Sequence, residues 1–154
     1  PDGAWEIRLA AQRPGGPHRL GVESGGHIIE RSDVLFGEVW FCSGQSNMQW
    51  RLRDSDDAES EARGIAAAKN LRAFFVQVET AEDECRLPPS PSDWIIPDES
   101  SARHLSAIAQ MFGVGLGEEL DMPVGVIISA KGGSRIEPWM SAAAQAAVEK
   151  EVGP

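Results

Sequence analysis

The chain has 154 residues, of which 42% are hydrophobic and 25% charged, a globular balance that argues against disorder. Lys and Arg total 14 and Asp and Glu total 24, so the net charge of −10 argues against binding nucleic acid or an anionic membrane through bulk charge. No apolar run approaches the roughly 18 residues that are needed to span a bilayer. Because the sequence starts at Pro1, we expect a processed chain or a piece of a longer protein.

The cysteines and histidines exclude some classes of site. With only Cys42 and Cys85, the chain is neither a disulfide-framework miniprotein nor a four-cysteine zinc protein. Cys42 lies in an apolar stretch that is typical of a buried free thiol, and a disulfide between the two cysteines stays open. The histidines show no metal-ligand spacing; they are His18, His27 and His104.

The first part of the chain has the pattern of antiparallel β-structure. Residues 4–9 largely alternate apolar and polar side chains, which predicts a half-buried strand. Two further strands are predicted at 18–23 and 27–30, with a turn at Gly25-Gly26 between them. Short strands separated by Gly and Pro turns are typical of a β-sandwich.

After Asp33 the pattern changes to alternating strands and helices. The strands, which are predicted to be buried, are 39–42, 71–78 and 124–129, and the helices are 54–70, about 100–120 and one beginning near 141. Right-handed crossovers make such an order a parallel sheet covered by helices. We therefore predict an α/β fold, with residues 1–33 as the end of a β-sandwich-like region and residues 34–154 as an α/β domain.

The most informative motif is Gly-Gln-Ser-Asn-Met at 44–48, directly after a predicted buried strand. In parallel sheets, functional groups gather at the carboxyl ends of the strands. Ser46 there can expose its hydroxyl, and its N–H can point at a developing oxyanion. The alternative interpretation is that Ser46 only caps the next helix.

A second glycine-containing turn, Gly132-Gly133, follows another predicted strand and therefore lies at the same edge of the sheet. Glycines let the backbone approach a ligand closely, and their N–H groups can donate to an anion. An ordinary tight turn is the alternative. A phosphate cradle is a weaker interpretation, because neither the P-loop nor the G-x-G-x-x-G pattern is present.

A nucleophilic serine needs a base, and the histidines offer no obvious candidate. None has an acid three residues before it, so we expect all of them to be surface or structural residues. The acidic runs at 54–57 and 82–84 are expected to be solvated. Trp50 and Trp139 follow the two turns, and each could line a pocket or serve in packing.

Residues 33–49 resemble the nucleophile block of the sialate O-acetylesterases, which belong to the SGNH-hydrolase group. Residues 131–141 resemble the second block of that family, a Gly-Gly turn followed by Ile-Glu and Trp. The resemblance covers nearly the whole chain and implies the first half of an SGNH-like esterase domain. Its sheet would be a partial parallel sheet in a three-layer arrangement, preceded by antiparallel β-sandwich strands.

The resemblance also implies a Ser/His/Asp mechanism. By position, Ser46 matches the nucleophile, and its N–H together with Gly132 or Gly133 matches the donors of the oxyanion hole. The remaining positions assigned to substrate binding or to the shape of the site are Gln45, Asn47, Lys131 and Trp139. No cofactor or metal is implied.

The implied reaction removes O-acetyl groups from sialic acid through an acetyl-enzyme, and family members are expected in lysosomes or as secreted proteins. Three other functions stay open: deacetylation of acetyl-xylan or another polysaccharide, non-catalytic carbohydrate binding, and, well below these, nucleotide or phosphate binding. The sequence leaves the oligomeric state open.

Two departures from the family pattern matter. Lys131 and Ser134 stand where the family commonly has Trp and Thr. Lys131 changes the apolar lining of one wall, and it either suits an anionic substrate or is an ordinary surface lysine. The later Gln-Gly-Glu and Asp-x-x-His blocks do not occur in this sequence. We therefore expect these residues alone to lack the catalytic base, to be inactive, and to be poorly stable because of an unpaired sheet edge.

Overall fold

The computed structural model describes residues 5–78 and 93–152, which form a β-hairpin and a larger α/β unit. The hairpin pairs β1 (Gly15–Ser24) with β2 (His27–Phe36). Gly25 and Gly26 connect them with φ values of 56° and 80°, which glycine adopts at no steric cost. The two predicted strands at 18–23 and 27–30 are therefore confirmed, and both extend further.

The predicted strand at 4–9 is wrong over the residues that the structure describes, because residues 5–13 have no regular secondary structure. Alternation of apolar and polar side chains specifies a face, but a strand also needs a partner for its backbone groups. Within the described residues the hairpin is a two-stranded sheet, and the β-sandwich stays a prediction. Strand β2 runs three residues past the predicted domain boundary at Asp33.

The larger sheet contains β3 (Glu38–Gly44), β4 (Leu71–Phe75), β5 (Trp94–Ile95) and β6 (Val124–Ala130). The order is β3-β6-β4-β5, in which the first three strands are parallel and β5 is antiparallel to β4. The three predicted parallel strands are thus confirmed, although β4 ends before Val78. The two-residue β5 was not predicted, because so short a segment shows no periodicity.

Strand β6 is central, and Val124, Val126 and Ile128 are almost completely buried. The continuous apolar run in β3 is not buried on both faces, contrary to the prediction. In the part of the chain that the structure describes, β3 is an edge strand, so that Val39 and Phe41 are 60% and 64% exposed. A run of apolar residues predicts that a strand is buried, but it does not identify the segments that pack against the strand.

The helices are α1 (Ser46–Gln49), α2 (Ala58–Ala67), α3 (Glu99–Ala102), α4 (Ala107–Leu120) and α5 (Ala142–Val152), with 3-10 turns at Leu52–Asp54 and Glu137–Trp139. In the described residues, one hydrophobic cluster joins α2 and α4 to one face of the sheet, and Met48 of α1 packs against it. The three-layer arrangement stays a prediction. No helix in the described ranges is long and apolar enough to cross a membrane.

The single helix predicted from about 100 to 120 is instead two helices, α3 and α4. Asp98 caps α3 by accepting a bond from the N–H of Ser101, and Ser106 caps α4 by accepting one from the N–H of Ala109. Between the caps, the carbonyl of Leu105 accepts a bond from the N–H of Leu52 at 3.0 Å. Backbone bonds to a distant segment therefore replace helical bonds at this point.

Glycine in α4 has a packing role that its low helix propensity conceals. A Cβ at Gly113 would lie 2.7 Å from Leu71 Cδ1 and 3.1 Å from Val126 Cγ1, in the core. A Cβ at Gly115 would meet nothing within 4 Å. Gly113 thus brings the helix close to the sheet, whereas Gly115 has no such contact.

Gly113→Ala and Gly115→Ala form a matched pair that tests this packing. We expect Gly115→Ala to raise the free energy of unfolding by about 0.5–1 kcal/mol through helix propensity. The free energy of unfolding of Gly113→Ala should be about 1–3 kcal/mol lower than that of Gly115→Ala, because the new methyl group overpacks the core. Urea unfolding followed by circular dichroism measures both values, and equal stabilisation by the two variants would contradict the packing argument.

Candidate active site

The two glycine-containing turns meet at the carboxyl edge of the parallel sheet. Strands β3 and β6 are in level register, so that Gly44 is opposite Ala130. The N–H of Lys131 continues the pairing by donating to the carbonyl of Gly44 at 3.0 Å. A Cβ built on Gly132 would lie 3.7 Å from Ser46 Cα. The convergence that the sequence predicted is therefore present in the structure.

The first turn exposes Ser46. Gly44 has φ +144°, a conformation that favours glycine, and α1 begins two residues later. Ser46 is the first helical residue and Gln45 occupies the N-cap position, so the interpretation of Ser46 as a helix cap is wrong. The Ser46 hydroxyl donates to Gln45 Oε1 at 3.1 Å. Its oxygen is therefore presented at the surface of the turn.

Neighbouring residues fix the first turn to the core. Met48 packs against the hydrophobic cluster, and its sulfur accepts a bond from the Ser106 hydroxyl at 3.6 Å. Cys42, four residues before Ser46, is buried as predicted, and burial raises the pKa of its thiol. The neutral thiol is a packing group. Cys85 lies outside the described residues, so its pairing stays open.

The second turn runs from Lys131 to Ser134, whose N–H donates to the Lys131 carbonyl at 3.3 Å. Gly133 has φ +76°, which suits glycine at the third position of a type II turn. The N–H of Gly132 donates to Gln49 Oε1 at 2.7 Å. This bond joins the two turns across 83 positions of the sequence.

A cleft of about 370 Å³ opens where the turns meet, and its lining residues are Ser46, Gln49, Trp50, Arg51, Asp54 and Gly132. Two residues predicted for the site, Ser46 and Gly132, line this cleft, and so does Trp50. The other predicted residues do not line it; they are Gln45, Asn47, Lys131, Gly133 and Trp139. Their roles at the site stay predictions.

The two tryptophans have different surroundings. The Trp50 indole N–H donates to the Ser55 hydroxyl at 3.1 Å, which fixes a half-exposed ring at the cleft. The Trp139 indole N–H donates to the Ser134 hydroxyl at 2.8 Å and so braces the second turn from within its own segment. A role in substrate contact thus suits Trp50 better than Trp139.

Sequence reasoning missed Gln49, Arg51 and Asp54. Gln49 lies three positions after Ser46, one helical turn further on, and that spacing is the signal that could have found it. Arg51 and Asp54 follow α1 at no regular spacing. They reach the cleft because the segment at 50–52 is bonded to the start of α4, where the N–H of Ala107 donates to the Trp50 carbonyl at 2.9 Å.

None of the histidines lines the cleft. His104 Nδ1 is 3.3 Å from Arg53 Nη1, so it accepts a hydrogen bond from the guanidinium. His18 lies edge-on to Phe36 within the hairpin, and His27 begins β2. The structure shows no cluster of His, Cys, Asp or Glu that could hold a metal ion in the ranges it describes.

The exposed serine lies on a tight turn between a parallel strand and a helix, and it faces a glycine turn that follows the neighbouring strand. This arrangement is of the kind found in serine hydrolases with an α/β fold. Comparisons with known proteins identify relatives of the chain within this class. Over 92% of its length the chain is 34% identical to the sialate O-acetylesterase of Rattus norvegicus. It is also 35% identical to that of Homo sapiens over 89% of its length.

A solved structure agrees with these relatives. The crystal structure of a novel carbohydrate acetylesterase from Xanthomonas citri matches 90% of this chain with a TM-score of 0.83 and 34% sequence identity. The resemblance to the sialate O-acetylesterases that the sequence predicted is therefore confirmed. The mixed α/β architecture, with antiparallel and parallel sheets, matches the fold of a carbohydrate acetylesterase.

The match has a defined extent. The chain spans 28% of the length of the two curated relatives and 32% of the solved chain. No protein-family model matches the sequence.

Proposed function

We propose that the protein containing this chain is a serine ester hydrolase that removes O-acetyl groups from sialic acids through an acetyl-enzyme. The observation that carries the proposal is the meeting of the Ser46 turn and the Gly132 turn at one edge of the sheet. The names of the relatives support the same activity.

In the proposed reaction, Ser46 Oγ attacks the acetyl carbonyl and its proton passes to a base. The N–H of Ser46 and an N–H of the Gly132-Gly133 turn stabilise the oxyanion. Collapse of the tetrahedral intermediate breaks the bond to the sugar oxygen, which takes up the proton, and leaves acetyl-Ser46. Water then attacks the acetyl-enzyme, and acetate and free Ser46 result.

One side chain of the cleft, Arg51, supports a sugar substrate that carries a negative charge. Arg51 is the single cationic side chain among the residues that line it, and the described residues show no ion pair to Arg51. The acidic residue of the cleft, Asp54, pairs with Arg53 rather than with Arg51, with 3.7 Å between Asp54 Oδ1 and Arg53 Nε. A guanidinium can bind a carboxylate with two parallel hydrogen bonds, and the fixed Trp50 ring offers a face to the sugar.

Deacetylation of a neutral polysaccharide is the second candidate. The relative from Xanthomonas citri is named a carbohydrate acetylesterase, without a sialic acid in the name. An acetyl-xylan substrate would use Ser46 in the same way but would have no carboxylate for Arg51. Arg51 therefore distinguishes the two substrate classes. Non-catalytic carbohydrate binding remains the alternative to both, and it predicts no role for the Ser46 hydroxyl.

The nucleophile is tested by Ser46→Ala in the complete gene product that contains this chain. Turnover of an O-acetylated sialic acid should fall by about 10³-fold or more, because the covalent step is lost. Ser60→Ala, at an exposed position of α2, is the matched control and should retain wild-type activity. Release of acetate measures both, and an active Ser46→Ala variant would exclude the proposed mechanism.

A polypeptide restricted to these 154 residues should be inactive, because none of its histidines lines the cleft. We expect hydrolysis of p-nitrophenyl acetate no faster than with its Ser46→Ala variant. Loss of the base removes most of the rate of such a triad and leaves only oxyanion-hole and binding effects. Turnover that depends on Ser46 and approaches that of the complete gene product would show that a base is already present.

Substrate charge is tested by Arg51→Ala in the complete gene product. We expect kcat/KM for an O-acetylated sialic acid to fall by about 10- to 100-fold, as for loss of a charged hydrogen bond. The methyl ester of that substrate, which lacks the charge, should be hydrolysed at an unchanged rate. Arg63→Ala, at an exposed position of α2, is the control. Equal losses on the charged and the neutral substrate would favour the polysaccharide alternative.

A further inference from the structure

Gln49 makes a direct side-chain bond between the two turns of the site. Its Oε1 accepts the N–H of Gly132 at 2.7 Å, and both residues line the cleft with Ser46. Gln49 is the last residue of the block at 33–49, but the resemblance assigns its side chain no role. It is also outside the reaction steps proposed above, which require a nucleophile, a base and oxyanion donors.

The local structure explains why Gln49 reaches the second turn. Gln49 is the last residue of α1 and Ser46 is the first, so the two side chains lie on the same side of one helical turn. A Cβ at Gly132 would lie only 2.7 Å from Gln49 Oε1. The close approach therefore depends on glycine at position 132 as well as on the amide.

The bond also distinguishes the two glycines of the second turn. The N–H of Gly132 is engaged by Gln49, whereas the N–H of Gly133 makes no hydrogen bond within the described residues. An amide oxygen placed this way has one of two effects. It either holds the second turn at a fixed distance from Ser46, or it competes with the substrate for the N–H of Gly132.

We propose that Gln49 is a positioning residue: through Gly132 it holds the second turn at a fixed distance from Ser46. The proposal rests on the proposed esterase function. Small displacements of oxyanion donors reduce the rate of the chemical step more than they reduce substrate binding. Gln49 therefore acts on kcat, without touching the substrate.

The test replaces Gln49 with methionine, which has similar length and bulk but no oxygen to accept the bond. In the complete gene product, Gln49→Met should lower kcat for an O-acetylated sialic acid by about 10- to 100-fold and leave KM within about two-fold. Because Gln49 is exposed, the melting temperature should not change. Gln12→Met is the matched control and should keep wild-type kinetics, because Gln12 is exposed and, within the described residues, its side chain bonds to the carbonyl of Ala10.

The Gly132 amide proton gives a second readout that does not depend on turnover. In ¹⁵N-glycine-labelled protein, Gln49→Met should shift this proton upfield and speed its exchange with solvent, while Gln49→Glu, which keeps an oxygen acceptor, should restore both. Unchanged or higher kcat in Gln49→Met, or an unaltered Gly132 amide, would overturn the positioning role while the esterase function stands. Absence of any Ser46-dependent turnover in the wild type would instead overturn the esterase function, and the positioning role with it.

Discussion

The level register of β3 and β6 is the constraint on which the candidate site depends. Gly44 and Ala130 end their strands opposite each other, so the two segments that follow leave the sheet side by side. A shift of one residue would move one turn by about 3.3 Å and reverse the facing of every side chain in that strand. Val124 and Val126 of β6 are almost completely buried and approach Gly113 of α4, which fixes the facing of this strand. Packing at the centre of the sheet thus determines the geometry at its edge.

A second constraint fixes the side of the cleft that Trp50 and Arg51 form. Three backbone hydrogen bonds join residues 50–53 to residues 103–107. The N–H groups of Leu52, Arg53 and Ala107 donate to the carbonyls of Leu105, Arg103 and Trp50, respectively. The same bonds separate α3 from α4. The interruption of the helix is therefore what allows Trp50 and Arg51 to line the cleft beside Ser46. Loss of a few helical bonds is offset by bonds to a neighbouring segment.

The sequence predicted what local pattern and strand order determine. Ser46 and the Gly132-Gly133 turn could be placed at one edge, because parallel strands end together and both motifs follow predicted strands. The break between α3 and α4 could not be predicted, because its bonding partners are about 50 positions away. Gln49 follows Ser46 at helical spacing, but the sequence has no signal for its bond to Gly132, which is 83 positions away. The exposure of Val39 and Phe41 depends on which segments cover the sheet, and composition alone does not specify that.

Charge at the site is a local property that the total of −10 does not describe. Two other arginines of the neighbouring segments have acidic partners: Arg53 lies near Asp54, and Arg103 pairs with Glu59 at 2.6 Å. Arg51 differs, because it lines the cleft without an ion pair in the described residues. Exposed pairs contribute little to stability, but each pair neutralises the charge of its two members. If the substrate is anionic as proposed, Arg51 is the cation that lines the cleft with Ser46, whereas the net charge of the chain repels the substrate weakly. At physiological ionic strength that repulsion is screened over about 8 Å, whereas a direct guanidinium contact is not.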